Sequence, residues 1–210
     1  MLLSEDVCRF AKKYMNCVLG DNIPQVFLAG GAYKSLIHQR PPRDLDIWAE
    51  TKDARRMVIR HLRDRGKERS PSAGAQRFVV NRVSIDVSFQ IEQMEERLKR
   101  FDIGMSSIAV AFREEQMMSW IHPKALFSIQ DRTIHLIQCH KRLVLATLVR
   151  ARRYAHDLNY QLLPDVEKQL WKDHVSLNPN YRKEQIEKLR FHYGDATWGV
   201  LEEATVRLDE

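Results

Sequence analysis

Asp44 and Asp46 stand two residues apart in the stretch DLDIWA, Asp44 to Ala49, with apolar Leu45 and Ile47 alternating with them. That alternation predicts a strand, so both carboxylates project from one face, roughly 7 Å apart. Two like charges held so close repel each other. A divalent cation between them makes the arrangement favourable, and hard oxygen donors on a strand suit magnesium or manganese. Asp86, centred in VSIDVSF, is a lone carboxylate in a segment built for a sheet. If its strand lies beside the first, three carboxylates converge as a donor set for two cations. Upstream, Gly30 and Gly31 follow a buried-strand pattern and precede a short helical one. There, backbone amides and a helix N-terminus could meet phosphate oxygens, and Lys34 lies within reach of the same anion. Each piece alone has a plain structural explanation, a turn or an ion pair. Their order along the chain makes the metal-and-phosphate reading the stronger one.

The elements that must position these residues follow from periodicity. Ser4 is a candidate cap for a helix with Val7, Phe10, Ala11, Tyr14 and Val18 on one face and Gly20 at its end. Gln25–Ala29 reads as a buried strand, and the two prolines of RPPR, residues 40–43, demand a loop. Residues 52–65 predict an amphipathic helix with Met57, Val58 and Leu62 inward. SPSAGA is a connector, and the strands QRFVV and VSIDVSF flank Asn81-Arg82 as a hairpin. Residues 91–100 read as helical. SSIAVAF and QMMSWI suggest a second hairpin around Glu114-Glu115. Beyond Pro123 the period is helical, most clearly over residues 139–158, 164–175 and 183–193. The expected fold class is therefore α+β: a mixed-sheet domain over residues 1–122, then a helical domain over residues 123–210.

With 210 residues, 44% hydrophobic and 30% charged, the chain can bury a core without staples. No apolar run reaches spanning length, and charges from Glu5 onward interrupt any leader-like layout, so the expectation is a cytoplasmic protein without a membrane partner. Three cysteines, Cys8, Cys17 and Cys139, argue against a disulfide framework, and none has zinc-ligand spacing. The eight histidines are scattered and read as structural or surface groups, and Trp171 and Trp198 as core. A net charge of +6 favours an anionic partner but suits a solvated basic surface equally well.

The run GGAYKSLIHQRPPRDLD resembles, without a gap, the signature of the polymerase β nucleotidyltransferase superfamily, above all the class II tRNA nucleotidyltransferases (CCA-adding enzymes) and the related bacterial poly(A) polymerases. RFDIGMSSIA is similar to that family's Arg-Arg-Asp motif, with Phe101 for the second Arg and Ser106 for an Asn. VRARRYAHDLNY is similar to its neck helix. The resemblance implies transfer of a nucleoside monophosphate from an NTP to a hydroxyl on RNA or protein, with Mg2+ or Mn2+ as cofactor. It assigns the metals to Asp44, Asp46 and Asp86, with Asp86 helping to deprotonate the acceptor. Nucleotide binding falls to Gly30, Gly31, Lys34, Arg43, Asp102, Arg150 and Arg153. Where the family reads C or A with Glu-Asp-x-x-Arg, this chain has LVLAT, Leu143 to Thr147, so transfer without that choice is implied. The family's large tRNA-gripping body is expected to be absent or much reduced. The alternative is a nucleotide-binding scaffold or regulatory subunit with little turnover.

Overall fold

Period-two alternation builds the centre of the molecule. The computed structural model describes residues 3–21, 23–72, 74–113, 116–194 and 196–209. Its strands are β1 (Val26–Ala29), β2 (Asp44–Ala49), β3 (Lys67–Arg69), β4 (Ala75–Val80), β5 (Val83–Ile91), β6 (Ile108–Arg113) and β7 (Gln116–Ile121). They form one sheet in the order β3-β4-β5-β2-β1-β6-β7. Among the described strands of this sheet only β2 and β5 run parallel and the other neighbours are antiparallel, so the sheet is mixed. The parallel pair needs a crossover, which α3 (Lys52–Arg65) provides together with β3 and β4.

The two faces of the sheet differ. Leu28, Leu45, Ile47, Ile85 and Val87 point into a large core closed by α1 (Ser4–Leu19) and α3, with Val7, Met15, Val58 and Leu62 fully buried against them. On the other face, Phe27, Ala29, Ala109 and Ala111 are capped by Met94 and Leu98 of the five-residue α4 (Met94–Leu98). That short cover leaves the Asp44–Asp46 end of β2 open.

The expected α+β class is what the chain adopts. After α2 (Tyr33–Ile37), α3 and α4, five more helices follow the sheet's last strand: α5 (Pro123–Asp131), α6 (Val144–Leu158), α7 (Pro164–Val175), α8 (Pro179–Tyr193) and α9 (Val200–Val206). Val144, Leu145, Leu148 and Val149 of α6 build a helical core with Leu170, Trp171, Ile186 and Leu201, and Trp198 packs on it. Ala151, Tyr154 and Leu158 of the same helix belong to the sheet core. No helix among the described residues is long and apolar enough to cross a membrane.

Several local expectations are corrected. Ser4 does not cap α1: Leu3 is the cap residue, and its N–H donates to Asp6 Oδ2 at 3.3 Å, so the reaching side chain comes from inside the helix. Met57 is 48% exposed; the inward set of α3 is Ala54, Val58, Ile59 and Leu62. Ile91 does not begin a helix but ends β5 opposite Ala49. Residues 139–143 precede α6 as a loop and a 3-10 turn. Strand β3, with three exposed residues, has no apolar alternation to announce it. The second expected hairpin forms as β6 and β7; its turn residues Glu114 and Glu115 lie outside the described residues.

Candidate active site

Strand β2 sends Asp44 and Asp46 to the open face, with Trp48 next along it. Parallel register sets Asp46 beside Asp86 of β5. Burial, reinforced by the like charges of Asp44 and then Asp86, pushes the Asp46 carboxyl up to about 7. The side chain of Asp86 has another partner. Arg77 lies opposite it on β4, and its Nε donates to both carboxylate oxygens at 3.2 and 3.3 Å. Burial raises the Asp86 carboxyl and Arg77 opposes that rise.

Asp44 and Asp46 line a cavity of about 460 Å³ together with Gly30, Gly31, Lys34, Asp102, Arg150 and Arg153. Asp86 and Arg43 do not line it; Arg43 borders a smaller neighbouring hollow of about 120 Å³ that shares Gly31, Lys34, Asp44 and Arg153. Eight of the ten expected site residues thus meet around one space.

Gly30 has a φ of +95°, a region costly for other residues, and a Cβ there would stand 3.2 Å from Asp46 Oδ2. Its amide is not available to a phosphate, because the N–H donates to the Ile108 carbonyl at 3.3 Å. Gly30 therefore shapes the turn beneath Asp46. At Gly31 an added Cβ would come within 3.4 Å of the Tyr154 hydroxyl. Lys34 extends from α2 so that Nζ lies 2.8 Å from Asp157 Oδ2 and 4.3 Å above the Tyr154 ring. Burial lowers its pKa, and Asp157 works against that.

Helix α6 supplies the opposite wall. Arg150, Arg153, Tyr154 and Asp157 recur on one side at helical spacing. Arg150 pairs with Asp102 through both Nε, at 3.2 Å, and a terminal nitrogen. Thr147 Oγ1 donates to the same carboxylate oxygen at 2.6 Å. Asp102 is only 9% exposed, so this pairing removes much of the cost of burying its charge. Burial opposes the Arg150 charge, and Asp102 together with Tyr193 outweighs it, so the pKa of Arg150 is raised. Ser106 Oγ donates to Tyr154 Oη at 2.9 Å.

Sequence reasoning missed Arg97, Arg100, Tyr154 and Tyr193 as cavity residues; His140, read as structural or surface, is exposed and borders the cavity. Asp157, the partner of Lys34, was missed too. The cavity-facing spacing on α6 was visible as Arg150, Tyr154 and Asp157; nothing local marks Arg97 or Tyr193.

The donor set of Asp44 and Asp46 fits a hard divalent cation, because their mutual repulsion is what such an ion removes. Among the described residues no three carboxylate, histidine or cysteine side chains are grouped closely enough to hold a metal ion. Asp86 is engaged by Arg77. The fit is therefore a two-carboxylate one, with Asp86 adjacent in register and engaged elsewhere.

Solved structures resemble this fold. A CCA-adding enzyme in complex with ATP shares 15% identity at a TM-score of 0.60, over 88% of this chain and 50% of that one. The Bacillus stearothermophilus CCA-adding enzyme in complex with CTP shares 22% at 0.52, over 77% and 43%. The Thermotoga maritima CCA-adding enzyme complexed with tRNA shares 14% at 0.55, over 99% and 52%. The chain therefore shares the fold of the matched part of these CCA-adding enzymes. This chain spans about half the length of the solved chains it matches, 47% and 55% in two of them. No protein-family model matches the sequence, and no curated protein matches it.

Proposed function

We propose that the protein is a metal-dependent nucleotidyltransferase that moves a nucleoside monophosphate from an NTP to a hydroxyl acceptor. The observation that carries this reading is one cavity with a repelling carboxylate pair, Asp44 and Asp46, on one wall and Lys34, Arg97, Arg100, Arg150 and Arg153 around it. Carboxylates that call for a cation, facing cations that call for a polyanion, are the two halves of a metal–triphosphate site. Its volume lies in the range of small-molecule sites.

Asp44 and Asp46 would hold Mg2+ or Mn2+, which when bound supplies charge neutralisation for phosphate oxygens and an easier loss of the acceptor's proton. The chain's own groups do the rest. The basic wall orients the triphosphate so that the acceptor oxygen meets the α-phosphorus. The new P–O bond forms as the bond to the β-phosphate's bridging oxygen breaks, and pyrophosphate leaves with that electron pair. The hydroxyl proton goes to a carboxylate. Asp86 can take this part only after Arg77 releases it. Tyr154 and Leu143 contribute apolar surface to the cavity. The net charge of +6 favours an RNA 3′ end as acceptor over a protein side chain; the CCA-adding neighbours, one solved with tRNA, agree with that preference.

One observation favours a second reading, a nucleotide-binding scaffold without turnover: Asp86 is held by Arg77 and lies outside the cavity. Incubation of the purified protein with each labelled NTP, Mg2+ and total RNA separates the two. Label in RNA, or in protein, supports transfer and identifies the acceptor. Nucleotide binding without label in either supports the scaffold.

A further inference from the structure

Five Lys or Arg side chains line the cavity, and four of them already have a carboxylate. Lys34 and Arg153 share Asp157, at 2.8 and 3.6 Å; Arg150 pairs with Asp102 and Arg100 with Glu92. Arg97 is different. Among the described residues its side chain has no hydrogen bond or ion pair, and its Nε is buried without a partner. Its guanidinium carbon lies 4.2 Å from the Trp48 ring centroid and 4.8 Å from that of Phe101.

This is an expensive arrangement for a structural arginine. A half-buried guanidinium with no carboxylate bound to it gains only part of its cost from aromatic faces; burial lowers its pKa, and the charges of Glu92, Asp46 and Asp102 work against that. What the stack does provide is orientation. Trp48 follows Asp46 by two residues on β2, hence on the same face of the sheet. Arg97 and Phe101 are four residues apart around the end of α4.

We propose that Arg97 is a substrate-binding residue that holds the triphosphate of the nucleotide, its guanidinium presented by the Trp48–Phe101 stack. The proposal rests on the nucleotidyl-transfer reading above. The phosphate could instead belong to the acceptor strand; the position of the stack, beside the Asp44–Asp46 face, favours the triphosphate.

Binding to the 210-residue chain decides it, measured by calorimetry with ATP, with adenosine, and with a single-stranded RNA lacking a triphosphate. Arg97→Gln should weaken ATP by about 10- to 100-fold, the loss expected for charge-assisted hydrogen bonds, and leave adenosine and RNA binding unchanged. Arg97→Lys should recover only part, because an ammonium lacks the planar fork that stacks. Thermal melts check the fold; if Arg97→Gln does not fold, Arg97→Lys carries the comparison, with ATP weakened and adenosine unaffected. ATP affinity equal to wild type overturns the assignment. So do an equal loss for ATP and adenosine, which marks a structural role, and a loss confined to RNA, which marks the acceptor's phosphate. A wild-type protein that binds no NTP sinks the transfer reading itself, and this assignment with it.

Discussion

Asp46 is where the residue-scale chemistry concentrates. A carboxyl that titrates near 7 in the folded chain and near 4 when unfolded keeps an extra proton in the folded state between those values. Its contribution to stability is thus complete below about pH 4 and is lost as the pH rises through about 7. Asp46→Asn cannot ionise and escapes that loss. In chelator at pH 8 this variant should be more stable than wild type, by at most about 4 kcal/mol and by less to the extent that water reaches the side chain. At pH 4 the two should coincide. Urea unfolding at both pH values checks this, and a gap of the same size at both would show that the repulsion is not the cause. Magnesium should stabilise the wild type and not the variant. The same substitution should abolish transfer while the fold survives; a normal rate in folded Asp46→Asn would refute the proposed chemistry. The Asp44–Asp46 pair was readable in the sequence because a strand's period of two is local. Lys34–Asp157 was not, since its members are 123 residues apart, and Arg97 was hidden because its role depends on Trp48 from another element.

Elements with a strong internal pattern were equally readable. The bounds of α3 and α7 follow from periodicity, Thr51 and Pro164. The parallel partnership of β2 and β5, on which the relation of Asp46 to Asp86 depends, carries no local signal. Nor does β3, whose exposed Lys67, Glu68 and Arg69 pair by backbone alone. Helix α6 carries the next prediction. Of Leu143 to Thr147, where the resemblance would put a base reader, Leu143 and Thr147 line the cavity, whereas Val144 and Leu145 are buried in the helical core. The Thr147 hydroxyl is committed to Asp102, as is Arg150. This wall therefore offers a base little unspent hydrogen-bonding capacity. We expect relaxed selectivity, with the preferred and next-best NTP differing by no more than roughly 1–3 kcal/mol in transition-state binding, the range for a pocket without a dedicated polar match. Values of kcat/KM for ATP, GTP, CTP and UTP test it. A preference on the order of several thousand-fold for one base would reveal a polar reader elsewhere, with Tyr193 and His140 as the first places to look.

At the scale of the whole molecule, we propose residues 1–122 as the nucleotidyltransferase region and 123–210 as the helical one, tied together rather than merely adjacent. The tie is α6. Its first two turns, Val144 to Val149, are packed in the helical core, and its later residues Ala151, Tyr154 and Leu158 in the sheet core. Tyr154 further accepts the Ser106 hydroxyl, and Arg150 holds Asp102, both across the join. A rigid rod shared by two cores transmits the loss of either, so unfolding should be a single cooperative transition. Leu148→Ala tests the idea at a position 1% exposed and confined to the helical core. Removing those buried carbons should cost about 2–5 kcal/mol. If α6 couples the halves, urea midpoints followed by far-UV circular dichroism, dominated by helices, and by a fluorescent label at Cys17, on the sheet-facing helix α1, fall together and by the same amount. The nucleotide should feel the change too, because the helix that Leu148 anchors carries Arg150 and Arg153 to the cavity wall proposed to meet the triphosphate. Two separated transitions, with only the helical one moved by Leu148→Ala, would show two independent bodies and would leave the cavity's basic wall loosely held.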